Sequence, residues 1–299
     1  MLNIKSERIR SPRRRTALPL LLLALCAFFP AAGRAQEAEA LLSRGSGLYF
    51  DTFLAFQKAL GRPVSAFDLS KEKPRLGREL KAVVAFGSLA AEQEYPSRSK
   101  VIYLLAPGYM TKKAGGRYTK ISALPEPSQA IAAYRELQPG LKRLAVLFDK
   151  RSSGAYPAEL AAAAKAFGVE ILLVGLSSPL EFPDKLRDLA GKADAFWLLP
   201  EPGLINRTSL MVLAEFSCSS KMPYYAPSGG LSELGAAAAF APGIAETGLA
   251  AAAALEKALA GKPLPEKIYV PRSELTLNEP FIKKCGLPVK LPAAGAALK

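Results

Sequence analysis

RLAVLFDKRSSGAYPAELAAAAKAFGVEILLVGL, residues 143–176, is the stretch that decides the fold. Its apolar run at 143–148 predicts a strand, and the run at 169–176 predicts a second one. The alanine-rich stretch 157–167 between them predicts a helix that ends at Gly168. Strands that alternate with helices are typical of parallel sheets with helical crossovers. The segment therefore predicts one β-α-β unit of a parallel α/β domain.

The same alternation continues toward the C-terminus. A strand is predicted at 193–199, a helix at 206–220 and a long helix at 245–260. The last element ends at Gly261, a residue type that is common just after helices. The second half of the chain therefore extends the β-α-β unit into a full α/β lobe.

The first half repeats the pattern less clearly. Strands are predicted at 64–69, 82–86 and 100–106, and the charged stretch 71–80 is compatible with a helix. A strand around 38–42 is poor because Glu37 and Glu39 interrupt it. We expect either an atypical start of this lobe or an edge strand.

Chain length and these breaks predict two lobes behind an N-terminal leader. We expect a signal peptide at 1–35, an N-terminal α/β lobe at 36–118 and a C-terminal α/β lobe at 119–250. Residues 251–289 are expected to form a closing helix, a strand and a short helix that return across the lobes. The Pro- and Ala-rich end, 290–299, is predicted to be disordered.

The leader prediction depends on the first 35 residues. Basic residues precede an apolar run at 17–29, and a small-residue stretch that ends at Ala35 follows it. The run is shorter than the roughly 20 apolar residues of a membrane span. We expect cleavage after Ala35 and a periplasmic protein; the alternative is an uncleaved N-terminal anchor.

Composition excludes several classes of function. The chain has no histidine among its 299 residues, which removes Ser-His-Asp and Cys-His catalysis and histidine-bound zinc. Its lysines and arginines are scattered without a nucleic-acid-binding motif, although the net charge is +14. Beyond the leader, Cys218 and Cys285 lack metal-ligand spacing, and the sequence leaves open whether they pair. We therefore expect no enzyme, no metal, no cofactor and no nucleic-acid partner.

Two parallel α/β lobes imply a binding cleft. Open α/β sheets bind ligands at the carboxyl ends of their strands, and small-molecule pockets form preferentially between domains. The sequence therefore predicts a ligand site between the lobes.

Several segments between residues 118 and 289 carry a resemblance to a known family. They are YTKISALPEPSQAIAAYRELQPGLKRLAVLFDK at 118–150, ADAFWLLPEP at 193–202, MPYYAPS at 222–228, the run from GAAAAFAPGIAETG to PLPEKI at 235–268, and the closing ELTLN and EPFIKKCGLPV. In this order the chain resembles the substrate-binding proteins of ABC transporters, among them relatives that bind tryptophan and tyrosine. The resemblance covers about 170 residues, and AVVAFGSLAA at 82–91 extends it weakly into the first half.

The resemblance implies a type I periplasmic-binding-protein fold that closes on a small organic ligand. It also implies a membrane permease as partner. The alternative is an envelope scaffold or sensory partner that kept the fold without binding a small ligand.

Family members bind ligands through turns at the ends of strands, and this places the candidate residues. Ser88 and the Ser152-Ser153 pair act either as ligand contacts or as plain helix caps. Trp197 is expected in the core, and Tyr225 is expected near the cleft. The full set of candidates is Ser46, Tyr49, Ser88, Ser122, Ser152, Ser153, Glu201, Tyr225 and Ser228.

The turn at 201–204 departs from the family pattern. Amino-acid-binding relatives carry an Asp-Asn-Thr type of turn there, whereas this chain has Glu201, Pro202, Gly203 and Leu204. Proline has no N–H group, and glycine and leucine have no polar side chain. Glu201 is therefore the only candidate partner in this turn for a ligand amino group.

Overall fold

The computed structural model describes residues 37–106, 116–152 and 154–291. The predicted signal peptide, its cleavage site, Ser153 and residues 292–299 lie outside the described residues. Two six-stranded sheets form the core of the described chain.

The N-terminal sheet has the strand order β2-β1-β3-β4-β5-β11, and all its pairings are parallel. Numbered along the chain, its strands are β1 Ala38–Leu42, β2 Ser65–Asp68, β3 Ala82–Phe86, β4 Lys100–Leu104, β5 Tyr118–Ile121 and β11 Lys267–Ile268. Its helices are α1 Leu48–Leu60, α2 Ser88–Ala91 and α8 Ile244–Leu259.

The C-terminal sheet has the order β7-β6-β8-β9-β10-β12, and only β12 runs antiparallel to its neighbour. Its strands are β6 Arg143–Asp149, β7 Glu170–Leu176, β8 Ala195–Leu198, β9 Tyr224–Ala226, β10 Ala238–Pro242 and β12 Ser273–Leu277. Its helices are α3 Pro127–Leu137, α4 Tyr156–Ala164, α5 Phe182–Leu189, α6 Arg207–Ser220, α7 Gly229–Ser232 and α9 Glu279–Cys285.

These sheets confirm the predicted fold class of two α/β lobes with parallel sheets flanked by helices. The segment 143–176 forms β6, α4 and β7 as predicted, and Gly168 has the left-handed conformation. In each lobe the second strand lies outside the first and the later strands continue on the other side. This arrangement brings the carboxyl ends of the parallel strands to one edge of each sheet.

Strand β1 corrects one expectation from the sequence. It lies between β2 and β3 and is not an edge strand. Ala38, Ala40 and Leu42 face a buried cluster, so the strand has a regular apolar side. Glu39 lies on the other face, where burial raises the pKa of its carboxyl group. A partly buried glutamate interrupts the apolar pattern of this strand, so hydrophobicity along the sequence does not reveal the strand.

No helix forms between β2 and β3, although the charged stretch 71–80 is compatible with one. Pro74 lacks the N–H group that a helix interior needs and disfavours helical geometry at the residue before it. Gly77 adds backbone freedom to the same short stretch. The connection is therefore irregular.

The chain crosses between the sheets three times, at 122–126, at Gly243 and at 269–272. Helix α8 follows directly after β10 of the C-terminal sheet yet packs against α1 of the N-terminal lobe. A Cβ atom at Gly248 would lie 2.6 Å from the backbone nitrogen of Phe56. A glycine is therefore required where these two helices make their closest approach.

Cys218 and Cys285 form a disulfide that joins α6 to the end of α9. The pairing left open by the sequence thus exists in the structure, and it holds the closing helix on the C-terminal lobe. Within the described ranges, no helix is long and apolar enough to cross a membrane.

Candidate functional site

Two cavities lie where the carboxyl ends of the strands in both lobes meet. They share Ala123, in the first crossing between the sheets, and Pro200, which follows β8. This is the position at which open parallel sheets bind ligands. The two cavities differ in chemistry and are described separately.

The first, here called the apolar cavity, has a volume of about 420 Å³. None of its described lining residues is charged, and most of its wall is aliphatic, proline or aromatic surface. Its volume lies in the usual range for small-molecule sites. The lining residues are Leu48, Tyr49, Thr52, Ser88, Leu105, Ala123, Pro200, Pro202, Ile205, Pro227, Ser228, Ala241, Pro242, Ile244 and Thr247.

The second, here called the lysine cavity, has a volume of about 260 Å³ and is lined by charged residues from both lobes. It lies beside two of the crossings. Its lining residues are Lys120, Ser122, Ala123, Leu124, Ser152, Gly154, Ala155, Tyr156, Glu159, Pro200, Glu201, Glu266 and Lys267.

Tyr49 is positioned in the apolar cavity by the turn after β3. Gly87 has a φ of 94°, and a Cβ atom there would lie 2.8 Å from the Tyr49 ring and 2.5 Å from Ser43 Oγ. Ser43 Oγ in turn accepts a hydrogen bond from the N–H of Ala90 in α2. The absence of a side chain at Gly87 thus lets the Tyr49 ring rest against the start of α2.

Ser88 and Ser228 bring hydroxyl groups to the apolar cavity, one from each lobe. Ser88 is the first residue of α2, and Ser228 precedes α7. Neither side chain forms a cap, and neither hydroxyl bonds to another described residue. Both are therefore available to a ligand.

Glu201 and Ser152 come together in the lysine cavity. Glu201 is only 4% exposed, and its Oε2 accepts a hydrogen bond from Ser152 Oγ at 2.5 Å. The next residue, Pro202, contributes its ring to the apolar cavity. The turn that departs from the family pattern therefore supplies an apolar wall in place of polar side chains.

The remaining candidate serines occupy other roles. Ser122 lines the lysine cavity, but its hydroxyl donates to Leu124 O at 2.9 Å and accepts from Leu124 N at 3.1 Å, which stabilises the first crossing. Ser46 is exposed in the turn between β1 and α1 and lines neither cavity. Ser153 lies outside the described residues.

Tyr225 lies in the core of the C-terminal lobe and lines neither cavity, contrary to the sequence-based expectation. Its ring is fully buried and stacks on Tyr134 with a centroid distance of 4.1 Å. Its hydroxyl donates to Gln138 Oε1 at 3.0 Å, so its polar group is already bonded. Trp197, expected in the core, is fully buried against Tyr134 and Tyr156.

The charged residues of β5 and β11 are not among the site residues predicted from the sequence. Lys120 and Lys267 are register partners in these parallel strands, so both side chains project from the same face. Lys267 Nζ lies 2.7 Å and 2.6 Å from the two carboxylate oxygens of Glu159 on α4, and Tyr269 Oη donates to Glu159 Oε2 at 2.6 Å. These three residues join the edge of the N-terminal sheet to the C-terminal lobe.

A signal for Lys120 exists in the sequence but is short. In Tyr118–Ile121, Thr119 and Ile121 are buried while Lys120 is on the opposite face. Four residues of alternation are easily mistaken for a boundary, and the lobe boundary predicted from the sequence falls at residue 118, at the start of this strand.

The environment of Lys120 disfavours the charged form of its amine. Burial lowers the pKa of its ammonium group to about 8, an effect that Glu201 opposes and that the neighbouring charge of Lys267 strengthens. Within the described part of the chain, its amine has no hydrogen-bond acceptor and no carboxylate within ion-pair distance. By contrast, hydrogen bonds from Lys267 and Tyr269 overcome the effect of burial and lower the pKa of Glu159.

Comparison with solved structures agrees with the fold. A substrate binding protein with adhesive properties from Clostridium difficile, solved ligand-free and open, has a TM-score of 0.63 and 14% identity, covering 87% of this chain and 97% of the other. An ABC domain from Streptococcus pneumonia in complex with L-Trp has a TM-score of 0.58 and 16% identity, covering 86% and 96%.

A conserved domain protein from Vibrio cholerae has a TM-score of 0.59 and 14% identity, covering 87% and 97%. No family model and no curated protein matches the chain by sequence. The chain therefore has the fold of ABC-transporter substrate-binding proteins, at an identity too low to carry over a ligand.

Proposed function

We propose that this protein is the extracytoplasmic solute-binding component of an ABC transporter and that it binds a small organic ligand between its lobes. The observation that carries the proposal is the pair of adjoining cavities at the carboxyl ends of both parallel sheets. The similarity to a substrate binding protein and to an L-Trp complex supports the same role.

Export and a permease partner belong to the same proposal. The basic and apolar leader favours export, and the Cys218–Cys285 disulfide suits an oxidising compartment. In this role the ligand closes the lobes, and the closed form delivers it to the permease.

The first test is to identify a bound solute. The protein is purified under native conditions, and released small molecules are identified by mass spectrometry. Adding the compound back to emptied protein is expected to raise the melting temperature and reduce the radius of gyration in small-angle scattering. Ser228→Trp, which fills the apolar cavity, is expected to abolish both responses, while Ser220→Trp on the exposed end of α6 preserves them.

The scaffold alternative predicts different results. A protein that kept the fold without a ligand would show no bound solute and no ligand-dependent compaction. It would instead retain an envelope protein in a pull-down, and Ser228→Trp would leave that interaction unchanged.

A further inference from the structure

The lysine cavity is lined by charged residues and the apolar cavity by uncharged, mostly apolar ones, and this difference points to a class of ligand. We infer that the cleft selects an amphipathic carboxylate whose apolar body lies in the apolar cavity and whose anionic group binds Lys120. This inference rests on the proposed binding function and narrows its ligand.

The first support is the contrast between the two lysines. Lys267 is held by both oxygens of Glu159, whereas Lys120, its register partner, has no such partner among the described residues. An ammonium group taken partly out of water loses hydration, and an anionic ligand restores the lost interaction. The lowered pKa of Lys120 agrees with this loss of hydration, because burial disfavours the charged form of the amine.

The second support is the state of the surrounding carboxylates. Glu159 already bonds Lys267 and Tyr269, and Glu201 is buried and accepts from Ser152. Glu266 belongs to the exposed rim of the cavity. None of the three forms an ion pair with Lys120. The ammonium group of Lys120 is therefore available to an anionic ligand.

The third support concerns the number and sign of the ligand charges. One ammonium group balances one negative charge, which favours a monoanion such as a carboxylate over a phosphate dianion. A ligand ammonium group beside Lys120 would be repelled by Lys120 and Lys267, which line the same cavity. The proposed ligand therefore needs the carboxylate and needs no amino group.

The fourth support is the lining of the adjoining cavity. No described lining residue there is charged, and Pro202 and Ile205 of the C-terminal lobe face the space that Tyr49 and Ile244 bound from the N-terminal lobe. Apolar surface removed from water there stabilises the complex without adding charge. Ala123 and Pro200 line both cavities, so the two spaces adjoin at these residues.

The test uses the full chain and isothermal titration calorimetry at pH 7. The probes are 3-phenylpropionate and hexanoate, each with the neutral amide and the terminal amine of the same length. Four proteins are compared: wild type, Lys120→Met, Lys120→Arg and Lys192→Met. Lys192 is exposed in the turn before β8, so its variant matches the loss of one charge away from the cleft.

We expect the wild type to bind at least one carboxylate about tenfold or more tightly than its amide. Lys120→Met is expected to abolish that preference, whereas Lys120→Arg and Lys192→Met preserve it. Circular dichroism of each variant shows that it is folded before it is titrated.

Three results would overturn the inference. They are equal affinity for carboxylate and amide, an unchanged preference in Lys120→Met, and failure of both carboxylates to bind. The proposed function survives any of these if a solute without an anionic group is recovered from native protein. It falls as well only if no solute is recovered.

Discussion

Lys120 and Lys267 are direct partners in the register of β5 and β11, yet only Lys267 has a carboxylate partner among the described residues. Two ammonium groups on one face of a sheet edge repel each other. The carboxylate of Glu159 forms an ion pair with only one of them, Lys267. The two lysines therefore lie at the junction of the two lobes, and of the two only Lys120 lacks an ion pair with a described residue.

We expect carboxylate binding to weaken as the pH rises through the pKa of Lys120, which is about 8. The anion binds the protonated amine, so affinity is constant below that value and falls by about tenfold per pH unit above it. Calorimetry with 3-phenylpropionate between pH 6.5 and 9.5 measures the effect.

Lys120→Arg is the control for that profile because a guanidinium group keeps its charge over this range. The other charged groups at the cavity, Glu159, Glu201, Glu266 and Lys267, are the same in both proteins. A pH profile identical in wild type and Lys120→Arg would contradict the assignment to Lys120.

Lys120→Met is expected to stabilise the folded protein while it removes carboxylate binding. The pKa of Lys120 in the folded state lies below the usual lysine value, so between pH 8 and about 10.5 the unfolded chain binds more protons. The destabilisation of the folded state by charged Lys120 is therefore fully present below pH 8, and it disappears as the pH rises toward 10.5. Since the side chain is partly exposed, we expect a gain of about 1–3 kcal/mol at pH 7.

Urea unfolding at pH 7 and pH 10 checks this expectation, with Lys192→Met as the reference for loss of one charge. A Met variant less stable than wild type at pH 7 would show that Lys120 supports the fold, although it has no hydrogen-bond or ion-pair partner among the described residues.

Glu159→Gln is expected to loosen the contact between the lobes and to strengthen anion binding. It leaves Lys267 without its carboxylate, so a second positive charge becomes available next to Lys120. Because both side chains are partly exposed, we expect a loss of about 1 kcal/mol in stability. A carboxylate affinity that fell in this variant would argue against charge as the basis of selection.

Removing the disulfide is expected to destabilise the C-terminal lobe. Cys218 and Cys285 are 67 residues apart, and the loop-entropy relation gives about 4 kcal/mol for such a closed loop. Thermal unfolding of Cys218→Ser, and of wild type with and without reductant, measures this. The single variant and the reduced wild type are expected to agree, because both open the same loop.

Gly248→Ala tests the close approach of α8 to α1. Its methyl group would lie 2.6 Å from a backbone atom of α1, so the helices must separate and we expect a loss of about 2 kcal/mol or more. Gly230→Ala is the matched control, because a methyl group there meets no atom within 4 Å. Equal stability of the two variants would mean that the helix contact tolerates displacement.

The fold is predictable from sequence because long apolar runs alternate with helical segments, and this holds best for β6, α4 and β7. Two local errors share one cause. Glu39 and Lys120 are charged residues inside short strands, and both are partly buried on one face. The hydrophobicity pattern along the chain does not show that such residues are buried, because elements distant in the sequence bury them.

The candidate site is less predictable than the fold. Ser88, Ser152, Ser228 and Glu201 lie at cavities because strand ends place them there. Tyr225 follows the same local pattern and still lies in the core, since the direction of a strand side chain depends on register. The Glu159 contact joins residues 108 positions apart, which no local pattern reveals.

The threading of the chain back through the N-terminal lobe has a consequence for its synthesis. A nascent chain that has emerged as far as Pro242 has completed β1 to β5, but α8, which covers them, and β11, which flanks β5, are still missing. The face of α1 that α8 covers and the edge of β5 are therefore unpaired throughout the synthesis of β6 to β10. The lobe that is begun first is therefore completed only when β11 has emerged, shortly before β12 and α9 complete the C-terminal lobe.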